Sequence, residues 1–241
     1  MIDFHTHILP GIDDGSQDIR TTGEMLREEK RQGTELVIAT PHFYASRMAM
    51  ETFLRRRTEA MTMTERLRRE ADELLPEILP GAEVYYFPGM GESEGIDRLC
   101  IGETRTILVE LPFEQWDEGV LKDMKGLIQR QRLNVVLAHI ERYPMLQRDR
   151  RIWDRVTALP LTPQINTGSF VRRGGLFHTD RVRKFCLRFL AEHHETIIGS
   201  DCHNMQGRPP NLAQGETEIK AALGVEVIRK IEATAGRLLT R

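Results

Sequence analysis

The chain has 241 residues, of which 40% are hydrophobic and 29% charged, and its formal net charge is −2. Such a chain suffices for one sizeable globular domain, and it has no overall positive field to attract nucleic acid or an anionic membrane. Its three cysteines form no CxxC pair, which argues against a disulfide framework and a thiolate zinc site. Because the sequence has no leader segment and no apolar run of membrane-spanning length, we expect a cytoplasmic protein without membrane insertion or nucleic-acid binding.

The N-terminal segment MIDFHTHILPGIDDG carries the strongest pattern in the chain. From Ile2 to Ile8 the residues alternate as in an extended strand, so that Asp3, His5 and His7 lie on one face. Two imidazoles on one strand face point at the same spot, and a shared metal ion is the simplest ligand for both. Asp3, on the same face, is predicted to accept a ring N–H and to fix the histidine tautomer.

A turn at Pro10-Gly11 follows, and then come two adjacent acids, Asp13 and Asp14, that can return toward the same point. The alternative for this segment is a buried strand whose histidines are satisfied by hydrogen bonds. The His-x-His pattern beside three acids favours a metal site over that alternative.

Strand-like and helix-like segments alternate along the rest of the chain. The predicted strands after the first are Glu35–Ala39, Glu77–Val84, Arg105–Leu111, Asn134–Ile140, Gln164–Asn166 and Thr196–Ser200. The predicted helices are Asp18–Gln32, Glu51–Leu75, Val120–Ile128, Arg148–Leu159, Val182–Leu190 and Glu216–Leu239, the last broken at Gly224. We also predict a C-cap at Gly33, an apolar face of the second helix made by Met63, Leu67, Ala71 and Leu74, and a loop from Phe87 to Gly102.

Seven strands alternating with helices predict an α/β fold of parallel β/α units, either a barrel or a doubly wound sheet. Acids and histidines at the ends of the predicted strands decide between the two. Convergence from many strand ends is what a β/α barrel provides, whereas a doubly wound sheet gathers its site at one crevice. We therefore predict a barrel of seven rather than eight strands. The residues at strand ends are His7, His42, Glu83, Glu110, His139, Asp201 and His203.

Several motifs together resemble the PHP phosphoesterase superfamily, and within it the bacterial protein-tyrosine phosphatases of the capsule and exopolysaccharide type. The resemblance follows the chain in order from residue 1 to about residue 212. The matching segments are the N-terminal one above, the TPH ending in His42, the Glu83 after Pro80-Gly81, Val109–Leu111 (VEL), Ala138–Tyr143 (AHIERY), Gln164–Ser169 (QINTGS) and Gly199–Asn204 (GSDCHN).

The resemblance implies a distorted (β/α)7 TIM-like barrel, one PHP domain over residues 1–241, that holds three divalent metal ions. Manganese is expected first, with iron, cobalt or zinc as alternatives. Imidazole and carboxylate donors without thiolate suit such metals, and clustered ions generate a hydroxide nucleophile and clamp phosphoryl oxygens. The implied ligands are His5, His7 and Asp201 for the first ion, Glu83 as a bridge, Glu110 and His139 for the second ion, and Asp14, His42 and His203 for the third, with Asp13 as a neighbouring candidate.

Three arginines are candidates for binding the substrate phosphate. Arg142, in AHIERY, matches a family position near the substrate, and a rim salt bridge is its alternative. Arg208 and Arg47 lie in loops beside metal-ligand segments. Arg142 is predicted to be catalytic together with Asp201 and His203.

Two short features near these residues have a functional and a structural interpretation. Tyr44 and Phe43 either line a slot for an aromatic leaving group or pack within the loop after His42. Cys202 and Arg208 satisfy C-x5-R, the spacing of cysteine-dependent tyrosine phosphatases, but short motifs of this kind arise by chance. We interpret Cys202 as a packing residue.

The implied function is that of a metal-dependent protein-tyrosine phosphatase, whose partner is the C-terminal tail of a bacterial tyrosine kinase that controls polysaccharide export. One alternative is a PHP phosphatase for a small ester such as histidinol phosphate, against which the GIDDG and AHIERY segments argue. The other is a catalytically silent barrel that binds metal or a phosphorylated partner, against which the complete ligand set argues. The sequence does not decide whether the protein forms a homo-oligomer, because no segment identifies an interface.

Overall fold

Among the residues that the structure describes, nine short strands form the curled inner layer, and they pair in parallel as one sheet of three strands and one of six. The structure is a computed structural model that describes residues 1–171 and 178–240, the latter with side chains from residue 181. The strands are β1 Ile2–Thr6, β2 Leu36–Ala39, β3 His42–Phe43, β4 Glu77–Pro80, β5 Glu83–Tyr85, β6 Thr106–Glu110, β7 Asn134–Leu137, β8 Thr162–Asn166 and β9 Ile197–Gly199.

Two of the seven predicted strands are each split in two. β2 ends before Pro41, which has no backbone N–H for the strand ladder, and β3 continues the same path. β4 and β5 are separated at Gly81, where an added Cβ would lie 3.1 Å from Ile101. Glu83 in β5 then pairs with His42 in β3, so both second halves run side by side. Seven paths around the barrel therefore carry nine strands, and the predicted fold class is confirmed.

The barrel closes where β1 meets β9. The N–H of Asp201 donates to the carbonyl of His5 at 2.8 Å, and the N–H of His7 donates to the carbonyl of Cys202 at 2.9 Å. Thr6 and Cys202 form a parallel bridge at the same place. Backbone hydrogen bonds thus join the first and last strands of the barrel at their carboxyl ends, beside the predicted metal ligands.

Helices cover the outside of the sheet. The first begins after the Asp18 cap, whose carboxylate accepts from the N–H of Thr21, and ends before Gly33 with φ +86°. Among the described residues, no helix is both long and apolar enough to cross a membrane. The α-helices are α1 Ile19–Arg31, α2 Met50–Glu70, α3 Glu118–Lys125, α4 Arg150–Thr157, α5 His178–Glu192, α6 Leu212–Leu223 and α7 Val225–Leu238, with Gly224 between the last two.

The predicted apolar face of α2 is correct for Leu67 and Ala71, which pack against the core, and wrong for Met63 and Leu74. The helix ends at Glu70, so Leu74 lies beyond it and is 79% exposed, and Met63 is 49% exposed. Phe53, Ala60 and Thr64 are buried instead. These residues follow a helical stripe that the sequence obscures, because one of its members is a threonine.

The segment from Phe87 to Gly102 is more ordered than the predicted loop. It contains two 3-10 helices, Met90–Glu92 and Ile96–Leu99. Met90, Ile96 and Leu99 are fully buried and belong to the hydrophobic core. The glycine content of this segment reflects its tight turns, since Gly89 and Gly95 both have positive φ.

Candidate metal centre

The nine predicted metal ligands meet at the carboxyl end of the barrel. His5 lies in β1, His42 begins β3, Glu83 begins β5 and Glu110 ends β6, while the others lie just beyond β1, β7 and β9. All of them except Asp14 and His42 are buried. Because parallel strands end at one rim, the fold gathers residues that are far apart in sequence.

Glu83 is the hub of the cluster. Its Oε2 lies 3.2 Å from Nε2 of His5, 3.2 Å from Nε2 of His7 and 3.0 Å from Nδ1 of His42. Its Oε1 lies 2.7 Å from Nε2 of His139. Burial alone would raise the pKa of Glu83, but the charge of His5 and the close imidazole nitrogens of His139 and His42 hold that pKa well below its usual value.

The donor atoms form three overlapping groups. In each group they lie within 4.8 Å of one another, and the groups are His7, Asp14, His42 and His203; His5, His7 and Glu83; and His42, Glu83 and Glu110. Two further predicted ligands border these groups. Asp201 Oδ1 is 3.6 Å from His5 Nε2 and 3.4 Å from His7 Nε2, and His139 Nε2 is 3.2 Å from Glu110 Oε1.

The donor set fits divalent cations. Nδ1 of His42, Oε2 of Glu83 and Nδ1 of His139 are buried and have no hydrogen-bond partner among the described residues. Buried polar atoms are normally paired, so unpaired ones require another kind of partner. Imidazole and carboxylate donors without thiolate suit manganese, iron or zinc.

The two neighbouring acids of the GIDDG turn face different partners. Asp13 Oδ2 is hydrogen-bonded to His7 Nδ1 at 2.7 Å and accepts from the N–H of His42 at 2.9 Å. Asp14 Oδ1 instead lies 3.6 Å from His42 Nε2 and 3.5 Å from His203 Nε2. Although burial lowers the pKa of His7, the charge and hydrogen bond of Asp13 raise it well above its usual value. Asp13 therefore orients a histidine, whereas Asp14 faces the donor group.

Gln164, in β8, orients His5 and His139, and it was not among the residues predicted from the sequence. Its Oε1 is 3.1 Å from His5 Nδ1 and accepts from the N–H of His139 at 2.9 Å. Its Nε2 donates to Asn166, whose own amide donates to Asp201 Oδ2 at 2.7 Å. The strand alternation of QINTGS was a usable signal, because residues two apart in a strand share a face.

Two of the three described non-glycine residues with a positive φ lie at the centre, and the third, Arg132, lies in the loop before β7. His139 and Asp201 have φ angles of +33° and +54°, in the region that non-glycine residues rarely adopt. Each such conformation costs about 1–3 kcal/mol and persists only where the surroundings impose it. Here it turns both side chains toward the cluster immediately after β7 and β9.

All three predicted arginines line one cavity of about 390 Å³ above the cluster. Arg142 Nη2 donates to Asp201 Oδ2 at 2.8 Å, and Arg208 Nη2 lies 2.6 Å from the same oxygen. Arg208 Nη1 is also 3.0 Å from His203 Nε2. Arg47 lies over the Tyr44 ring, 4.5 Å from its centre. The ion pair of Arg142 is thus with Asp201, and it leaves other guanidinium N–H groups for an anion in the cavity.

Comparison with known proteins places the chain in a family. The model of the CpsB/CapC family, described as capsular polysaccharide synthesis, matches residues 1–240. The chain belongs to the CpsB/CapC family. Tyrosine-protein phosphatase YwqE of Bacillus subtilis is 30% identical, and the match covers 99% of this chain and 91% of YwqE. Tyrosine-protein phosphatase CpsB of Streptococcus pneumoniae is 26% identical over 96% of this chain and 94% of CpsB.

Solved structures agree with this family. The chain matches one of the crystal structures of YwqE from Bacillus subtilis and CpsB from Streptococcus pneumoniae with a TM-score of 0.82 and 28% identity. Those two proteins are described as unique metal-dependent tyrosine phosphatases. That match covers 99% of this chain and 94% of the other. An organophosphorus hydrolase mutant matches with a TM-score of 0.55 and 11% identity over 99% of this chain and 92% of that chain, and it shares the fold alone.

In this CpsB/CapC member, Cys202 is not placed as a nucleophile. Its side chain is fully buried, its Sγ lies 3.9 Å from Glu29 Oε1, and burial raises the pKa of the thiol well above its usual value. The N–H groups of Gln206, Gly207 and Arg208 all donate to the side chain of Asn204. They are therefore not aimed at a phosphate, and the interpretation of Cys202 as a packing residue is confirmed.

The prediction for Asp3 is wrong. Its Oδ1 accepts from the backbone N–H of His5 at 3.2 Å and of Ser200 at 2.8 Å, and no ring N–H among the described side chains donates to it. Asp13 and Gln164 hold the histidine rings instead. The sequence placed Asp3 on the correct face, but its side chain lies two residues deeper in the barrel than that of His5 and does not bind the rings.

Asp3→Ala is expected to lower the free energy of unfolding by about 2–3 kcal/mol, because two buried N–H groups lose their acceptor. Urea unfolding of the CpsB/CapC protein measures this. Asp3→Asn keeps an acceptor oxygen and should lose about 1 kcal/mol or less. Equal stabilities of the alanine variant and the wild type would contradict a role for Asp3 in joining β1 to the segment after β9.

Proposed function

We propose that this CpsB/CapC member is a metal-dependent protein-tyrosine phosphatase. The observation that carries the proposal is the buried cluster of imidazoles and carboxylates around Glu83, beneath a cavity lined by three arginines. The names of YwqE and CpsB, which match over nearly the full chain, support the same activity. Divalent ions bound in such a cluster lower the pKa of water and polarise phosphoryl oxygens.

The proposal includes three metal ions, with manganese expected first. Asp14 rather than Asp13 is proposed as a ligand, since Asp13 already binds His7 Nδ1 and two backbone N–H groups. The proposed ligands are His5, His7, Asp201 and the bridging Glu83; Glu110 and His139; and Asp14, His42 and His203.

The arginines are proposed to bind the phosphoryl oxygens. Arg142 and Arg208 share Asp201 Oδ2 and are about 40% exposed toward the cavity, so their remaining N–H groups are accessible to substrate. Charge-assisted hydrogen bonds from guanidinium suit a dianionic ester and the charge that develops on it. Asp201 fixes both arginines, and His203 stays close to Arg208. Arg47 is proposed to contact substrate from the rim.

The proposed substrate is a phosphotyrosine in the C-terminal tail of a bacterial tyrosine kinase that controls polysaccharide export, and the proposed location is the cytoplasm. The family description, capsular polysaccharide synthesis, supports this partner. A substrate panel tests it, with the kinase tail peptide and histidinol phosphate compared at equal concentration. A higher kcat/KM for histidinol phosphate would contradict the proposal.

Chelation is expected to abolish phosphate release from a phosphotyrosine peptide, and added Mn²⁺ is expected to restore it. The Cys202→Ser variant should follow the wild type within about twofold, because the thiol is buried away from the cavity. The measurement is phosphate release before chelation, after it and after metal addition. Activity that survives chelation but disappears in Cys202→Ser would overturn the proposal in favour of a cysteine nucleophile.

A further inference from the structure

One side of the cavity above the metal centre is aromatic. Tyr44 follows β3, Tyr85 ends β5 and Phe113 follows β6, and these three strands are adjacent in the sheet. All three side chains line the same cavity. Since adjacent strand ends meet at one rim, the three rings occupy a continuous part of it.

The other side of the rim is cationic. Arg142 follows β7 and Arg208 follows β9, and both bind Asp201. Arg47 is the exception, since it lies on the aromatic side over the ring of Tyr44. The cavity therefore offers anion-binding groups and flat apolar surfaces next to each other, which suits a ligand that has both a phosphate and a ring.

Phe113 is exposed and yet firmly held. It is 45% exposed, which is unusual for a large apolar side chain in this protein. Its ring is stacked at 19° on Tyr143, with 5.5 Å between ring centres, and Tyr143 is fully buried. The His139 ring is 5.8 Å away. A ring that is packed on one side and open on the other can bind a second aromatic ring without first losing conformational freedom.

The metal-facing donors lie deeper than the rings. Glu83 and His139 are 1% exposed, whereas Phe113 at the rim is 45% exposed. When the phosphate of a ligand reaches the donors, a large substituent on that phosphate therefore lies at the rim, beside the aromatic rings. A phenyl ring is rigid and flat enough to lie along the aromatic side, and a methyl group is too small to contact it.

We propose that Phe113, supported by Tyr44 and Tyr85, is a specificity-determining residue that binds the ring of aryl phosphates and discriminates them from alkyl phosphates. This inference rests on the proposed function, because the phosphate of the same ligand is the one held at the metal centre. If Phe113 instead served only to position His139, its removal would weaken aryl and alkyl ligands equally.

The test is calorimetric binding of phenylphosphonate and methylphosphonate to the full-length chain loaded with Mn²⁺. Phe113→Ala is expected to reduce the preference for phenylphosphonate by about tenfold and to leave the Kd of methylphosphonate unchanged. Phe113→Tyr keeps the ring and should retain the preference. Met63→Ala is the matched control, since Met63 is a similarly exposed apolar side chain on α2, 49% exposed and outside the cavity.

An unchanged preference in Phe113→Ala, or an equal loss for both phosphonates, would overturn the inference. Binding of phosphonates requires no turnover, so the result separates the inference from the proposed function. A wild type that shows the expected preference but releases no phosphate from phosphotyrosine peptides would contradict the proposed function and support the aromatic slot.

Discussion

Glu83→Gln is expected to reduce phosphotyrosine hydrolysis by more than about a hundredfold and to lower the metal content of the protein. The Glu83 carboxylate lies within 3.2 Å of nitrogen atoms of His5, His7, His42 and His139. Glutamine has nearly the same shape, but its side chain is neutral. Its NH₂ group replaces one carboxylate oxygen, and an NH₂ group donates hydrogen bonds and cannot bind a cation. Activity with excess Mn²⁺ and metal content after dialysis measure the two effects.

Glu77→Gln is the matched control for this substitution. Glu77 begins β4 at the opposite end of the same path through the barrel, and it is exposed. It should therefore keep full activity and metal content. Near-normal turnover by Glu83→Gln would mean that catalysis does not require the Glu83 carboxylate, and the proposed bridging role would be wrong.

Gly199→Ala is expected to remove activity and to destabilise the fold by about 1–3 kcal/mol. A Cβ at this position would lie 2.6 Å from Cβ and 2.8 Å from the backbone nitrogen of His5. The backbone can accommodate it only if β9 moves away from β1. That movement would separate His5 from Asp201, whose contact at 3.6 Å spans the two strands.

Gly236→Ala provides the comparison for the same chemical change. Gly236 lies in α7, and a Cβ there would meet no atom within 4 Å. Alanine in a helix should stabilise the protein by up to about 1 kcal/mol and leave activity unchanged. Thermal unfolding and phosphate release distinguish the two variants. Wild-type behaviour of Gly199→Ala would show that the strands are not closely packed at His5.

The barrel could be predicted because its signals are local. Alternation along the first strand placed His5 and His7 on one face, and strand ends marked by acids and histidines indicated one rim. The apolar face of α2 was predicted only in part, because Thr64 packs inward while Met63 does not, and side-chain polarity alone cannot show this. The split of two strands depends on backbone interruptions at Pro41 and Gly81 whose consequences appear only in the sheet.

The candidate site was predictable only in part, because orientation depends on contacts between distant segments. The pattern left Asp13 and Asp14 equivalent, and their different partners come from β3 and from the segment after β9. Gln164 was missed because an amide in a strand has no distinctive chemistry until it meets His5. Phe113 carries no motif, and it becomes notable only through its exposure beside the cavity.

The junction between β1 and β9 also bears on how the protein is made. The hydrogen bond between Ser200 and Asp3 spans 197 positions of the chain, and the centre draws donors from both sides of it. On the ribosome, β1 is translated long before β9. His5 in β1 therefore has no contact with Asp201 until the end of the chain has been made. Contacts between such distant segments form late in folding, because closing a long loop costs entropy that only the final pairing offsets. The donor set is therefore incomplete until Asp201 and His203, which follow the last strand, have been translated.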